Sequence, residues 1–338
     1  MTELLRTLFV TTPGTSLHLE GDTVRIYHPE RPGRHVLPLV RIEQLVVWKG
    51  VDVSNDLLLR CTEDARGVTW LSRNGRFLGR MGGAQTGNPL VRLEQTRAYD
   101  DPDRRLGIAQ AIVAGKLHNY RQLLLRIARD ATGPRQTDIR ALADQHAEAL
   151  TAVAASSSLT ELLGIEGMAA RSYFQAMPLL APGVPPGRTR RPPQDPFNCV
   201  LSFGYGMLRV AVVGALEHVG LDPYIGYLHG VRSGKPSLAL DLMEELRPLL
   251  VDRFVLTLFN RKRILPSHTR SDPAGGIALT EDGRAFVLGE WSKAREREWK
   301  HTGLDRDVPA GLLPVVQARL FARYLRGDQP AYTPWVAG

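Results

Sequence analysis

Cysteine is scarce in this chain of 338 residues, which contains only Cys61 and Cys199. The two lie far apart in the sequence, and neither belongs to a C-x-x-C pair. This spacing excludes a disulfide framework and a cysteine-based structural zinc site. The composition is typical of a protein that folds in a reducing compartment, so we expect a cytoplasmic location.

Long hydrophobic runs are lacking as well. The most apolar stretch, Met207–Leu216, is short and contains Arg209. A membrane-spanning helix needs about 20 predominantly apolar residues, and the first residues do not show the charged and then apolar pattern of a signal peptide. The sequence therefore predicts a soluble protein with no membrane partner.

Lysine is the third scarce residue, because six lysines among the 43 basic residues leave 37 arginines. The formal net charge is +8. A planar guanidinium group can make paired contacts to phosphate, so this surplus favours a nucleic-acid partner. A GC-rich genome would also enrich arginine over lysine, but it would not explain the positive balance.

The first part of the chain has the pattern of a small β domain. Short runs rich in Val, Ile, Leu and aromatic residues alternate with turn residues, which predicts an antiparallel β-sandwich over residues 1–82. Turns are expected at Glu20–Asp22 and at Asn74–Gly75. Both residues of the Asn74–Gly75 turn tolerate positive φ. The predicted strands are Leu8–Val10, Val24–Tyr27, Leu45–Trp48, Leu57–Leu59 and Val68–Leu71.

The rest of the chain has a helical pattern. Residues 83–89 are rich in glycine and predict a linker. Apolar residues at helical spacing then predict helices over 90–130, 136–158 and 159–177, within an all-α domain over 90–326. The fold class is thus α+β with two domains. We expect residues 327–338 to form an extended tail whose aromatic residues are mobile or dock on a partner.

A proline-rich loop interrupts the helical region between Pro178 and Pro196. Its prolines disfavour helix, and it contains Arg188, Arg190 and Arg191. The loop could contact phosphate, or it could be a solvated crossover between helices.

Four polar residues in the second half lie in unusual surroundings. Asp241 and Glu244 are three residues apart in a predicted amphipathic helix, so they share a face. Glu166 follows an apolar run and lies between two glycines that permit close approach of another group. His229 follows a stretch punctuated by glycine and proline that can fold it back toward the Asp241 helix. Singly, these residues have ordinary explanations as a solvated helix face, a capping acid and a structural histidine.

Together, the acids and the histidine suit a divalent metal ion. Mg²⁺ and Mn²⁺ prefer oxygen ligands and keep open positions for water or phosphate. Phosphoryl transfer on nucleic acid needs such an ion to neutralise charge and orient the attacking oxygen. The set therefore predicts a divalent-metal site for Mg²⁺ or Mn²⁺, and such a site would suit phosphoryl transfer.

The order of several motifs resembles a known family, the metal-dependent endonuclease and integrase of CRISPR adaptation. These motifs follow one another from Glu166 to Pro248, and the β-rich domain followed by a helical domain matches the architecture of that family. The motifs are Leu163–Gly167, Arg171, Tyr173–Phe174, Arg191–Pro193, Asp195–Pro196, Asn198, Leu201–Tyr205, Gly220–Pro223, His229, Ser237–Glu245 and Arg247–Pro248.

The resemblance implies an assignment of site residues. The metal ligands would be Glu166, His229 and Glu244, with Asp241 as a neighbouring catalytic acid of lower rank. Many relatives have aspartate at the position of Glu244. The residues expected to contact DNA are Arg171, Arg190 and Arg191, which would bind phosphate, and Tyr173 and Tyr205, which would stack on bases or position a hydroxyl group.

The resemblance also implies a reaction and partners. Short foreign DNA fragments would be inserted into a CRISPR array by attack of the fragment's 3′-hydroxyl group on a phosphodiester at the repeat boundary. Double-stranded DNA would be both the incoming fragment and the target. The chain would form a homodimer through its N-terminal domain, and two dimers would flank a dimer of a small ferredoxin-like adaptation protein.

Two other functions fit the same residues. A metal-dependent nuclease that cuts branched DNA or RNA in repair would use the same ligands with water as the nucleophile. A non-enzymatic, arginine-rich DNA-binding scaffold would use the acids only in salt bridges, and its binding would depend on salt but not on metal.

Overall fold

The computed structural model describes residues 6–72, 75, 77–83, 89–273 and 275–337. The chain divides into two compact units. The first comprises the described residues of 1–86, 266–270 and 278–293, and the second those of 87–265, 271–277 and 294–338. The residues of the expected linker at positions 84–88, and Asn74 of the expected hairpin turn, lie outside the described residues.

The N-terminal part of the first unit contains two four-stranded sheets and one helix. One sheet has the order β1-β5-β7-β8 and the other the order β4-β3-β2-β6. The elements are β1 (Arg6–Val10), β2 (Ser16–Glu20), β3 (Thr23–His28), β4 (Arg31–Pro38), β5 (Ile42–Trp48), β6 (Asp52–Val53), α1 (Asn55–Glu63), β7 (Gly67–Leu71) and β8 (Phe77–Met81).

The expectation of an antiparallel arrangement is wrong for part of this unit. Strands β1, β5 and β7 run parallel, with Leu8 opposite Leu45 and Leu45 opposite Val68, and only β8 of that sheet is antiparallel to its neighbour. Parallel neighbours need crossover connections, which the chain supplies between β1 and β5 and through α1 between β5 and β7. The predicted β-rich character of this region is confirmed.

The predicted strand Leu57–Leu59 is also wrong, because these residues belong to helix α1. The side chain of Ser54 caps this helix by accepting a hydrogen bond from the Leu57 N–H. Leu57 and Cys61, four residues apart, are fully buried in the core with strand residues such as Leu17 and Val68. Capping and helical spacing outweigh the strand-like run of leucines.

The second unit is mostly helical, and the predicted helical segments are confirmed. The expected helix over 90–130 is divided at Asp101, whose carboxylate caps the second part by accepting from the N–H groups of Asp103 and Arg104. The remaining helices of the chain are α2 (Pro89–Asp100), α3 (Pro102–Asp130), α4 (Gly133–Ala155), α5 (Leu159–Gln175), α6 (Met177–Leu180), α7 (Pro196–His218), α8 (Ser237–Leu246), α9 (Arg253–Asn260), α10 (Glu281–Arg295) and α11 (Leu313–Leu325).

Short strands correct the expectation of an all-α region after residue 90. They are β9 (Thr269–Ser271), β10 (Ile277–Leu279), β11 (Glu298–His301) and β12 (Arg306–Pro309), and β11 pairs with β12 in antiparallel fashion. A π-helical turn, Arg247–Asp252, joins α8 to α9. Turns of this kind occur often at functional sites.

Helix α7 is the one described helix whose length and composition would allow it to cross a membrane. Residues along it, including Phe197, Val200, Leu208 and Leu216, are buried inside the second unit. Its apolar character is therefore that of a core helix.

The C-terminal tail differs from the expectation. Tyr332 and Trp335 are buried in the second unit, and the Trp335 N–H donates to Glu245 Oε2 over 3.1 Å. A Cβ atom at Gly115 in α3 would come within 2.6 Å of Pro334 Cβ, so this glycine makes room for the tail. The aromatic residues of the tail therefore dock on their own chain.

Candidate active site

Three elements of the second unit bring the predicted acids and histidine together. Helix α5 carries Glu166, helix α8 carries Asp241 and Glu244, and the loop between α7 and α8 carries His229. A fourth element, the central helix α3, contributes Lys116. The predicted site residues thus converge, and a lysine joins them.

Asp241 holds the loop that contains His229. Its carboxylate accepts hydrogen bonds from the backbone N–H groups of Tyr227, Leu228 and His229 over 2.6, 3.1 and 2.9 Å, and the side chain is fully buried. The prediction that this loop folds His229 back toward α8 is confirmed. The position of the loop is therefore set by a residue of the helix that carries Glu244.

Asp241 also orients the imidazole ring. His229 Nδ1 lies 2.7 Å from Asp241 Oδ1, and His229 Nε2 lies 3.8 Å from Glu244 Oε1. A carboxylate next to Nδ1 favours the tautomer that carries its proton there, which leaves the lone pair of Nε2 facing Glu244. Metal-binding histidines in proteins are commonly oriented in this way.

Glu244 is a buried carboxylate with cationic neighbours. Its side chain is 2% exposed. Arg247 Nη1 lies 2.5 Å from Oε1, and Lys116 Nζ lies 2.7 Å from Oε2. Burial acts to raise the pKa of Glu244, but the charges of Arg247 and Lys116 outweigh it and lower that pKa to about 2. Glu244 is therefore ionised, as a metal ligand must be.

Lys116 lies between two acids. Its ammonium group forms ion pairs with Glu166 and with Glu244, and its side chain is 5% exposed. Burial alone would lower the pKa of Lys116, but the negative charges of Glu244 and Glu166 raise it. A monovalent cation thus occupies the place where the two carboxylates meet.

The donor set fits a hard divalent cation. Two carboxylates, on Glu166 and Glu244, and the imidazole Nε2 of His229 are ligands that Mg²⁺ or Mn²⁺ accepts. As the side chains stand, no three acidic, histidine or cysteine residues in the described part of the chain are close enough to enclose an ion. Binding would require Lys116 Nζ to withdraw from between the carboxylates, which its flexible side chain permits.

The surface beside Glu166 is open. Gly164 and Gly167 have no other group of the described chain within 4 Å of the position of a Cβ atom, so the close approach that these glycines permit is open to a ligand. Leu163 and Met168 on the same helix are exposed. Glu166, half-buried, therefore lies at the edge of the acid cluster, on a face that leaves room for a substrate.

Tyr205 adjoins the cluster through Asp252. Its hydroxyl group donates to Asp252 Oδ1 over 2.6 Å, and the guanidinium groups of Arg188 and Arg247 lie 5.5 and 5.1 Å from its ring centroid. Burial raises the pKa of Asp252 to about 6. Tyr205 is therefore part of a polar network that includes Arg247, a direct partner of Glu244.

Tyr173 is in a position that contradicts its assignment to DNA binding. Its side chain is fully buried, and its ring stacks on Tyr120 with the centroids 3.9 Å apart. Helical spacing places this residue on the inner face of α5, where the ring fills the core next to His146. The ring is not available to stack on a base.

The three predicted phosphate contacts are all exposed. Arg171 lies on α5, and Arg190 and Arg191 lie in the proline-rich loop before α7. Arg188, which the assignment left out, points inward instead and donates to Asn198 Oδ1 and Ser202 Oγ, each over 2.9 Å. It ties the loop to α7.

Sequence reasoning missed Lys116 and Asp252, and it named Arg247 in a motif without giving it a role. Lys116 is one charged residue in the apolar stripe of a long helix, and this pattern could have marked it as paired in the core. Arg247 follows Glu244 at helical spacing, which favours an ion pair. No local pattern indicates that Asp252 would lie beside Tyr205, because 47 residues separate them.

Comparison with known proteins gives consistent matches over nearly the whole chain. A family model described as CRISPR associated protein Cas1 matches residues 8–293. A CRISPR-associated endonuclease Cas1 from Moorella thermoacetica is 40% identical over 341 residues, which cover 98% of each chain. Another from Rhodospirillum rubrum is 40% identical over 347 residues, which cover 99% of each chain.

Solved structures share the fold. A Cas1 protein from Thermotoga maritima aligns with a TM-score of 0.80 and 24% identity, over 98% of this chain and 99% of its own. A casposase bound to its integration product aligns with a TM-score of 0.82 and 22% identity, over 97% of this chain and 93% of its own. The family model and the identity to full-length relatives together show that this chain belongs to the Cas1 family of CRISPR-associated proteins.

Proposed function

We propose that this chain is a metal-dependent DNA endonuclease and integrase that inserts short foreign DNA fragments into a CRISPR array. Its relatives are named CRISPR-associated endonucleases, and a casposase of the same fold is described as bound to an integration product. The reaction is a transesterification, in which the 3′-hydroxyl oxygen of the fragment displaces a 3′-oxygen at a phosphodiester of the array.

One observation carries this proposal. Asp241 holds the loop and the ring of His229 so that Nε2 faces the ionised, buried carboxylate of Glu244. A DNA-binding scaffold that uses its acids only in salt bridges does not need a carboxylate that accepts three backbone hydrogen bonds and orients a histidine toward a second acid. The arrangement is that of a metal ligand supported by an outer carboxylate.

Glu166, His229 and Glu244 would hold Mg²⁺ or Mn²⁺. The bound ion supplies Lewis-acid polarisation of a phosphate oxygen and neutralises charge in the transition state. Asp241 keeps the proton on His229 Nδ1, and Arg247 keeps Glu244 ionised. Buried charges that are fixed before the substrate arrives stabilise developing charge without reorganisation.

The residues around the cluster would position DNA. Arg171, Arg190 and Arg191 have exposed side chains suited to phosphate. The Tyr205 hydroxyl is held by Asp252, so this residue would act in positioning and not as a stacking platform. These contacts do not depend on base sequence, which suits an enzyme that accepts fragments of any sequence.

Partners follow from the same assignment. Double-stranded DNA is the substrate and the target. We infer a homodimer through the first unit, since Leu37 near the end of edge strand β4 and Val40 in the turn that follows it are exposed there. A small ferredoxin-like adaptation protein would join two such dimers, because one structure of the same fold is described as a Cas6-RT-Cas1–Cas2 complex. The second unit would be the catalytic domain, and the complex would act in the cytoplasm.

Strand transfer tests the proposal. The purified chain and its small adaptation partner are incubated with a labelled duplex fragment and a plasmid that contains the repeat, in EDTA, Mg²⁺ or Mn²⁺. The parent is compared with His229→Ala and with a matched control, His218→Ala, whose side chain is exposed at the end of α7. We expect metal-dependent joining that His229→Ala loses and His218→Ala keeps.

Three other outcomes would contradict the proposal, each in a different way. Equal joining by His229→Ala and the parent would refute the metal-site assignment. Metal-dependent cleavage of branched DNA without any joining would favour the repair nuclease. Salt-dependent DNA binding with no metal-dependent reaction in any chain would leave only the scaffold.

A further inference from the structure

A group of basic residues lies around a cavity that is separate from the acid cluster. A cavity of about 760 Å³ opens between the C-terminal part of α3, the start of α4, helix α9 and the residue that precedes β11. Of the described residues that line it, Asp130 alone is acidic. Six basic residues line the same cavity, and we call them the basic basin: Arg126, Arg135, Arg253, Arg261, Lys262 and Arg297.

Three members of the basin have no acidic partner. Arg126, Arg253 and Arg297 form no ion pair with any carboxylate in the described part of the chain. Arg253 is half-buried, and a buried charge is normally paired because desolvating an unpaired charge costs free energy, whereas Arg126 and Arg297 are exposed. Their grouping here leaves a concentration of positive charge that an anion would neutralise.

Trp299 holds two of these arginines together. The guanidinium carbons of Arg253 and Arg297 lie 4.9 and 4.8 Å from its ring centroid. Cation–π contacts of this kind stabilise a cation without neutralising it. Burial is the main cause that lowers the pKa of Arg253 to about 10, and the positive charges of Arg297 and Arg126 act in the same direction.

Helix capping does not explain the cluster. Arg261 and Lys262 follow the last turn of α9, where cations favour the helix dipole. Arg253 lies at the other end of α9, where the preceding π-helical turn continues into the helix, so it caps neither end, and Arg297 lies outside any helix. Lys262 has φ of 51°, a left-handed conformation that is uncommon for lysine, and it lines the cavity.

The basin is open and not an enclosed pocket. Arg126, Arg261, Lys262 and Arg297 are exposed, while Arg253 at its floor is half-buried. An open trough with many cations suits an anionic chain that passes across it better than a small ligand that must be enclosed. The distance to the acid cluster also suits a chain. Ten residues of continuous α3 separate Lys116 from Arg126, or about 15 Å at 1.5 Å per residue.

We propose that the basic basin binds the phosphodiester backbone of the DNA substrate, on the order of four nucleotides from the phosphate that reacts at the acid cluster, at about 3.4 Å per nucleotide. The distance in nucleotides rests on the proposed function, while the binding of DNA at the basin does not. The contacts are to phosphate, so they hold the strand without reading its sequence.

Salt-dependent binding tests the basin. The affinity of the parent for single-stranded and branched DNA is measured by fluorescence anisotropy over a salt series, and compared with Arg253→Gln/Arg297→Gln. The matched control, Arg319→Gln/Arg323→Gln, removes the same charge from exposed positions on α11. We expect the basin variant to reduce the slope of log K against log salt by about 1.4 to 1.8, for two lost phosphate contacts, and the control to leave it nearly unchanged.

Two further readouts exclude a loss of folding. Arg253→Lys/Arg297→Lys should recover most of the salt slope, because it keeps both charges. In strand transfer, the basin variant should raise the KM for DNA while kcat at saturating DNA stays near that of the parent. A basin variant with the slope of the control would overturn the proposal. So would inorganic triphosphate that binds the basin tightly and does not compete with DNA, since the site would then serve a small anion.

The basin and the proposed function can fail separately. If the parent joins fragments but the basin variant binds DNA as the control does, the basin proposal falls and the function stands. If no chain joins or cuts DNA while the basin variant still loses salt-dependent binding, the basin stands and the function falls.

Discussion

Replacing Tyr332 by phenylalanine should destabilise the helical unit, although this residue lies only six positions from the end of the chain. The Tyr332 hydroxyl donates to Glu245 Oε1 over 3.0 Å and accepts from Gln317 Nε2 over 3.1 Å. Glu245 is the neighbour of Glu244 on α8, and all three residues of this network are buried. The tail therefore contributes to holding the helix that carries the acid cluster.

The magnitude follows from the contacts. Removing one hydroxyl from a buried network that includes a carboxylate costs about 1–3 kcal/mol. Trp335→Ala should cost more, about 3–5 kcal/mol, because the ring is 1% exposed and packs edge-on against Trp299. The hydrogen bonds of the Trp335 backbone to Glu245 and Asn119 can survive that substitution.

Urea unfolding followed by circular dichroism measures these costs. Tyr27→Phe is the matched control, because this tyrosine is exposed in the first unit and its hydroxyl has no hydrogen-bond partner among the described residues. We expect the order parent, Tyr332→Phe, Trp335→Ala in falling midpoint, with Tyr27→Phe equal to the parent. If Tyr332→Phe and Trp335→Ala both unfold with the parent, the tail is not packed on α8 and the reasoning is refuted.

Three other substitutions test the site. Lys116→Met should lower the unfolding free energy in EDTA by about 3–5 kcal/mol, because Glu244 loses a buried counterion. Mn²⁺ should raise the unfolding free energy of this variant by more than it raises that of the parent, and an equal increase in both would contradict the prediction. Asp241→Asn should weaken Mn²⁺ binding about 10–100-fold in calorimetric titration, because His229 Nδ1 loses its carboxylate; unchanged affinity would remove Asp241 from that role. Burial raises the pKa of Asp252 from 3.8 to about 6, so the unfolded chain releases this proton at a lower pH than the folded chain does, and the stability of the parent falls as the pH rises from about 4 to 6. The unfolding free energy of Asp252→Asn, relative to that of the parent, should therefore increase by about 2–3 kcal/mol between pH 4 and pH 8. Parallel pH profiles of the two proteins would contradict the assignment.

Local patterns predicted much of the fold. The helices over 90–130, 136–158 and 159–177 are confirmed because their apolar residues recur at helical spacing and capping residues such as Asp101 and Ser158 mark their starts. Most of the N-terminal strands are confirmed for a similar reason. Leu57–Leu59 failed because three leucines suit a helix as well as a strand, and burial of Leu57 with Cys61 decides between them.

Strand direction could not be predicted from local pattern. The parallel pairing of β1, β5 and β7 joins segments whose connections are themselves structured, and alternation along a strand does not reveal the direction of its neighbour. The tail was equally ambiguous. Tyr332 and Trp335 look like the aromatic residues of a free terminus until Gly115 and Glu245 are known to face them.

The amino-acid sequence by itself determined the kind of chemistry available to this protein. It supplied Glu166, His229, Asp241 and Glu244 in an order that resembles the CRISPR integrases, and the family resemblance is confirmed. These are properties of residue type and spacing along the chain, so they can be read without a structure.

Only the tertiary structure decided which residues meet. Lys116 reaches Glu166 across 50 positions of sequence, Tyr173 turns into the core, and the basic basin gathers arginines from three distant segments. Such contacts depend on how the helices pack, and packing is a property of the whole core and not of any short stretch of sequence.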